Sequence, residues 1–246
     1  MAGGGDVEHR VSVNHEERSN LMRSALRLSA LALVVVISLQ AVLLAQRKHP
    51  VSGRVIAPVM GVGGAGWLER PEREDEEQTS RAVAALKLRA GMTVADIGAG
   101  SGYYAVRMAR AVGADGRVYA TDIQQGMLDI ITRRIARDRL PQIVPVLSAE
   151  DDPRLPPASL DLALMVDVYH ELAEPQAFVR RLKTALKPEG RLVLIEFRKE
   201  DASVPIRPEH KMSVAQVRQE LGADGFDIAE VIDVLPWQHI IVLKAR

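Results

Sequence analysis

The residues able to do chemistry gather at four places, each at the end of a short apolar run. The first is Asp96-Ile97-Gly98-Ala99-Gly100-Ser101-Gly102, where glycines let the backbone turn sharply and approach a ligand without a Cβ in the way. Its spacing is G-x-G-x-G. A dinucleotide fingerprint wants glycine where Tyr103 stands, and the Gly-Lys-Ser/Thr of a phosphate loop is absent. Asp96, opening the motif, suits a ligand with an amino group rather than a pyrophosphate. Asp122 closes Arg117-Val118-Tyr119-Ala120-Thr121-Asp122, where a carboxylate is placed to take both hydroxyls of a ribose. Ser148-Ala149-Glu150-Asp151 offers a carboxylate to an adenine amino group, and Asp167-Val168-Tyr169-His170-Glu171 is the fourth acidic end. Each motif alone is weak. Incidental acidic loop residues are the bland alternative, and repetition at four successive run ends argues against it.

Three histidines are candidates for moving a proton. His170 follows the fourth run directly, at the ligand edge, whereas His210, in Arg207-Pro208-Glu209-His210-Lys211-Met212, lies in a loop that would hang over a pocket. His239 stands beside Trp237 near the last strand and reads as packed. Tyr169 joins His170 and His210 as a catalytic candidate. Glu196, Glu200 and Asp201 with a histidine are candidate metal ligands, but no spacing is diagnostic, so no metal ligands are assigned.

The elements that must position these residues alternate. Strands are expected at Thr93–Ile97, Arg117–Thr121, Ile143–Leu147, Asp161–Val166, Arg191–Phe197, Ile228–Val234 and His239–Lys244. Helices are expected through Tyr104–Ala109, over Gln125–Asp138 and over Ala177–Leu186, the last stopped by Lys187-Pro188-Glu189-Gly190. Ser213-Val214-Ala215-Gln216 is a capping box opening a helix to Leu221. Apolar strands alternating with helices predict an α/β fold, a mostly parallel sheet covered on both faces, with ligands at the carboxyl ends of its strands.

Composition narrows the function. Hydrophobic residues at 47% and charged ones at 26% are globular usage, which excludes a mainly disordered chain. Lys+Arg and Asp+Glu are both 32, so the electrostatic footprint of a dedicated nucleic-acid binder is missing. With no cysteine there is no disulfide, thiolate metal site or cysteine nucleophile.

The first third of the chain reads differently. A polar tail, 1–27, precedes Leu28–Ala45, an uncharged run at about the lower length limit for spanning a bilayer. It is apolar all round, which disfavours an amphipathic core helix. Arg23 and Arg27 before it and Arg47 and Lys48 after it fit either a membrane anchor or a cleavable signal peptide, though Leu43 spoils the cleavage site. Flanking charge does not fix orientation. Residues 46–66, rich in Gly, Pro and Val, read as a linker, and the folded domain is expected over 67–246. The charge cluster Glu69–Glu77 reads as a solvated helix face or as a lid over the site.

From Val83 to Lys244 this constellation resembles the class I S-adenosylmethionine-dependent methyltransferases. The stretch Leu186-Lys187-Pro188-Glu189-Gly190-Arg191-Leu192-Val193-Leu194-Ile195-Glu196-Phe197 is similar to the quinone-biosynthesis branch, with Glu189 where that branch often has glycine. The resemblance implies a Rossmann-like sheet of seven strands, the last antiparallel, preceded here by one N-terminal hydrophobic helix. It implies S-adenosyl-L-methionine as cofactor: Asp96, Gly98 and Gly100 on its methionine part, Asp122 on the ribose, and Ala149, Glu150 or Asp151 on the adenine. Ala99, Gly102, Tyr103, Ile123, Met127 and Asp167 complete the implied cofactor set. Tyr103 and Tyr169 are further candidates to lay their rings by the sulfonium.

Acceptor classes can then be pruned. C5-pyrimidine methylation uses a cysteine, and the NPPY-type loop of amino-group methyltransferases is replaced by DVYH. A small or lipophilic acceptor remains: a phenol, quinone or thiol. A membrane anchor suits such a partner. A protein carboxyl methyltransferase of the isoaspartate type and a non-catalytic cofactor-binding module are the alternatives. Because S-adenosylmethionine is not normally supplied outside the cell, a methyltransferase site implies a cytoplasmic domain on a single-pass N-terminal anchor; an exported form is the other topology.

Overall fold

In the computed structural model the described residues are Met22 and 47–246. The tail and the apolar run Leu28–Ala45 otherwise lie outside them. Among the described residues no helix is long and apolar enough to cross a membrane.

Three short helices come first: α1 (Ala65–Leu68), α2 (Arg73–Glu77) and α3 (Thr79–Ala85). The alternating part follows as β1 (Thr93–Ile97), α4 (Tyr103–Val112), β2 (Arg117–Asp122), α5 (Gln125–Asp138), β3 (Ile143–Leu147) and β4 (Leu160–Val166). It continues through α6 (Pro175–Ala185), β5 (Leu186–Arg198), β6 (Lys211–Met212), α7 (Val214–Ala223), β7 (Phe226–Ile232) and β8 (Gln238–Ala245). The strands lie in the order β3-β2-β1-β4-β5-β8-β7, all parallel except β8, which is antiparallel to both its neighbours. The expected seven strands are this path. The correction is an eighth, β6, whose two residues pair with Phe197 and Arg198 at the end of β5; a Lys-Met pair carries no periodic signal.

Period-2 alternation sends neighbouring side chains of one strand to two different cores. Leu162, Leu164, Val193 and Ile195 pack with Met108 and Val112 of α4 and Ile131 of α5. Ala163, Met165, Leu192 and Leu194 pack with Phe178 and Leu182 of α6 and Val217 and Leu221 of α7. Covered on both faces, β4 and β5 therefore read as continuous apolar runs rather than alternating ones. Helix α7 starts as expected, with Ser213 Oγ accepting from the Gln216 amide at 3.1 Å.

Two sequence expectations change. Lys187–Gly190 does not separate helix from strand, because β5 already begins at Leu186. A register shift between Leu160 and Leu162 absorbs the insertion, and a Cβ on Gly190 would stand 2.6 Å from the Leu160 carbonyl oxygen. Residues 47–66, read as a linker, are packed into the unit that spans Arg47–Arg246. His49, Arg54 and Ala57 are buried, and the Ala57 amide donates to the His170 carbonyl at 3.0 Å.

Chain order builds the site. After β3 the chain crosses to the other side of β1 to lay down β4, so the connections after β1 and β4 diverge at their carboxyl ends. That gap is where open α/β sheets bind ligands.

Candidate active site

A cavity of about 540 Å³ opens at this switch point. Its floor is the glycine loop after β1. Gly98 and Gly100 have φ of +64° and +53°, a region that L side chains rarely adopt. A Cβ would stand 2.6 Å from Val168 at the first and 2.6 Å from Leu68 at the second. Asp122, ending β2, turns its carboxylate onto this loop: Oδ2 accepts from the Gly100 amide at 3.0 Å and Oδ1 from the Gln124 amide at 2.9 Å. Burial pushes its pKa up, and those amides pull it back.

Of the residues predicted for the cofactor, Gly98, Gly100, Asp122, Ile123 and Met127 line this cavity, and so do Ala149, Glu150 and Asp167. Asp167 sits at φ 53°. Its Oδ2 accepts from Gln238 at 2.7 Å, while its Oδ1 is buried without a partner. Burial, with Glu77 and Glu196 nearby, raises its pKa well above the carboxylate range.

The other predicted residues are not in the wall. Asp96 is buried behind the loop, its pKa raised to about 7 by desolvation against the opposing pull of the Ala105 amide at the start of α4. Ala99 closes the loop by donating its amide to the Thr121 carbonyl at 2.8 Å. Gly102, at φ 78°, caps α4. Tyr103 meets arginines instead of a ligand: Arg107 stacks 3.6 Å and Arg73 4.3 Å from its ring centre. Asp151 is paired with Arg181 at 3.0 Å. Tyr169 points away from the cavity, its hydroxyl 3.2 Å from His49 Nε2.

The acceptor end holds the histidines. His170 Nδ1 lies 2.6 Å from Glu196 Oε2, and Glu196 Oε1 accepts from the Tyr169 amide at 3.0 Å. A carboxylate there holds the ring hydrogen on Nδ1 and leaves the Nε2 lone pair facing His210. His170 Nε2 is 3.1 Å from His210 Nδ1, the two rings near perpendicular at 85°. His170 and His210 thus meet across forty positions of sequence. Burial, then His170, lowers the His210 pKa. Glu171 completes the group, its pKa raised to about 7 chiefly by burial. His239 is buried on β8, opposite Glu196 in register and without a partner for Nε2.

Sequence reading missed the wall supplied from 58–73. Pro58, Met60, Trp67, Leu68 and Arg73 all line the cavity. The signal was in the charge cluster: Glu69, Glu72 and Asp75 keep an exposed, solvated face, while Arg73 turns to the cavity. Arg73 and Glu77 are buried and paired at 2.9 Å, and Arg70 Nη2 reaches Glu77 at 2.7 Å. Of the residues weighed as metal ligands, Glu200 accepts from the Val214 amide and Asp201 caps Ser203. The donor atoms that converge are those of His170, Glu171 and His210.

Comparison with known proteins agrees with this geometry. The profile described as a methyltransferase domain matches residues 95–194. The ubiquinone/menaquinone biosynthesis C-methyltransferase UbiE of Paraburkholderia phymatum (strain DSM 17167 / CIP 108236 / LMG 21445 / STM815) is 33% identical over 122 residues, covering 48% of each chain. A SAM-dependent methyltransferase from Aquifex aeolicus superposes with a TM-score of 0.71 at 28% identity, over 75% of this chain and 98% of that one. The O-methyltransferase NcsB1 from neocarzinostatin biosynthesis, solved with S-adenosylmethionine and 2-hydroxy-5-methyl naphthoic acid, shares the fold at a TM-score of 0.55 and 20% identity, over 63% of this chain and 49% of its own. Fold, glycine loop and acidic strand ends are together similar to those of class I S-adenosylmethionine-dependent methyltransferases. The chain resembles the UbiE enzymes at modest identity, and it spans about half the length of the curated relatives it matches.

The residues present fit S-adenosylmethionine. The loop offers backbone where a Cβ would intrude, the Asp122 carboxylate lines the cavity beside it, and a cavity of about 540 Å³ is within the usual size of small-molecule sites.

Proposed function

We propose that this domain methylates an acidic hydroxyl or thiol on a small, largely apolar acceptor, with the hydrogen-bonded His210–His170 pair receiving the acceptor's proton. One observation carries the reading: the Glu196–His170–His210 chain ends at the wall of the cofactor cavity. S-Adenosylmethionine, held on the glycine loop, supplies a methyl group activated by its sulfonium. Gly98 and Gly100 admit it, Asp122 holds its ribose hydroxyls, and Arg73 offers a cation to its carboxylate. Apolar Ile123 and Met127 pack beside the adenine. Leu172, Phe178, Phe197 and Ile206 exclude water around the acceptor, which keeps the proton transfer between the histidine pair and the acceptor oxygen or sulfur. Relatives named for ubiquinone and menaquinone biosynthesis favour quinone-like acceptors.

We also propose that Leu28–Ala45 tethers the domain to a membrane, with the domain cytoplasmic. Support comes from the uncharged run and from a lipophilic acceptor. A reporter fused after Arg246 and active only outside the membrane would reverse that topology.

The deciding experiment is calorimetric titration with S-adenosylmethionine, followed by turnover on a panel of quinols, phenols and thiols. Asp122→Ala strips two buried amides of a charged acceptor, and we expect cofactor affinity to fall by ~100-fold or more. His170→Ala should bind cofactor as the parent does while turnover falls ~10²–10⁴-fold. Unchanged turnover in His170→Ala removes the pair as the base.

A further inference from the structure

Three donor atoms from two distant segments converge on one point of the cavity wall. His170 Nε2 and His210 Nδ1 are 3.1 Å apart. Glu171 Oε1 lies 3.9 Å from the first and 3.8 Å from the second. A triangle of this size admits one ion at about 2.1 Å from all three atoms, within the usual range of metal–nitrogen and metal–oxygen bonds. The spacing is not an accident of one loop: His170 and Glu171 follow β4, while His210 comes from the connection between β5 and β6.

Two independent features of the surroundings point to a cation. First, Glu196 Oε2 sits 2.6 Å from His170 Nδ1, the carboxylate backing that fixes the tautomer of a ligating histidine and aims its other nitrogen at the ion. Second, two buried carboxyl groups are concentrated here. Glu196 is fully buried and Glu171 mostly so, and a buried carboxylate group is costly unless paired or metal-bound.

We propose that His170, Glu171 and His210 bind one divalent first-row transition ion. Two imidazoles and one carboxylate suit zinc, manganese or iron, whereas magnesium and calcium prefer all-oxygen sets. The ion takes the place of the hydrogen that otherwise lies between the two rings. All three ligands line the cavity, so the remaining coordination positions are open to an acceptor oxygen. An acceptor hydroxyl bound there loses its proton to water at a lower pH than it does when free. The use of the ion for an acceptor rests on the methyl-transfer reading above; the ion site itself does not. With the ion in place His170 is a ligand and the proton leaves from the ion-bound hydroxyl; in the ion-free chain it goes to the histidine pair.

The test uses the full chain stripped with a chelator, titrated with Zn²⁺ by calorimetry and with Co²⁺ by visible absorption. We expect one ion per chain. Glu196→Gln should weaken binding ~10–100-fold, as loss of a backing carboxylate does, and His210→Ala should weaken it further. His210 is a quarter exposed on a loop, so the stripped variant should unfold at the parent's temperature; the rise in that temperature on adding Zn²⁺ should be confined to the parent. Equal uptake by the parent and His210→Ala overturns the site. So does a parent that binds S-adenosylmethionine but neither ion. Uptake of one ion by a parent that does not bind S-adenosylmethionine upholds the site and removes the methyltransferase reading instead.

Discussion

Two buried histidine–glutamate pairs flank the Tyr169–Glu171 turn, and they have opposite fates. On one side, Glu220 receives His49 Nε2 at 3.3 Å, Arg54 Nε and Nη2 at 3.1 Å each, and the Ser52 hydroxyl. Arg54 spends another nitrogen on the His170 carbonyl. Carboxylate and guanidinium satisfy one another there, and the cluster is closed. On the other side, Glu196 holds His170, but no arginine joins them, and the next partner, His210, borders the cavity. The same two residue types form a closed cluster where an arginine joins them and, where none does, a chain that runs on through His210 to the cavity wall.

The sharpest way to break this comparison is to remove each carboxylate's charge. Glu196→Gln should cut turnover ~10²–10⁴-fold while costing less than about 1 kcal/mol of stability. Glu220→Ala should do the reverse, leaving Arg54 buried without its counter-charge at a cost of ~3–5 kcal/mol, with cofactor affinity kept in the molecules that remain folded. Paired denaturation and turnover measurements decide; if both variants lose stability and neither loses turnover, the two clusters are of one kind.

A third buried acid sharpens the contrast, because Asp96 has a carboxylate oxygen with no partner at all. Its folded pKa, about 7, lies above its ordinary 3.8 because of burial. The folded state therefore binds the proton more tightly than the unfolded state. The stability this contributes is complete below about pH 4 and is lost as pH rises through about 7, on the order of 4 kcal/mol in all. Subtracting the stability of Asp96→Asn from that of the parent between pH 4 and 8 should give that slope. Parallel curves would show that Asp96 keeps its ordinary acidity. The smallest effect is expected far from all three groups: Ser213→Ala removes the cap of α7 and should cost ~1 kcal/mol, adding independently to the cost of Glu220→Ala.

The alternating strands and helices were legible because their periods are local. Helix α5 spans Gln125–Asp138 and strands β1 and β3 span Thr93–Ile97 and Ile143–Leu147, as their patterns predict. The acidic strand ends could be read for the same reason: one carboxylate per carboxyl end follows from the order of the chain. Tyr169 shows the limit. Adjacent to His170 in sequence, it turns to the opposite side and packs on His49, because a single turn of 3₁₀ helix points neighbouring side chains in different directions.

By itself, then, the sequence determined the class of fold, the glycine loop, and the carboxylates at its rim, since each depends on residues within one strand–loop–helix unit. Only the tertiary structure decided which groups meet. Residues 58–73 have no strand pattern, yet they wall the cavity because Arg54 and Ala57 anchor the preceding chain to the His170 carbonyl. The pairing of His170 with Glu196 and His210, and the burial of Arg73 with Glu77, depend on contacts between segments. Those contacts exist only once the sheet has closed, because a carboxylate's or imidazole's role is set by the partners and the water that packing leaves around it.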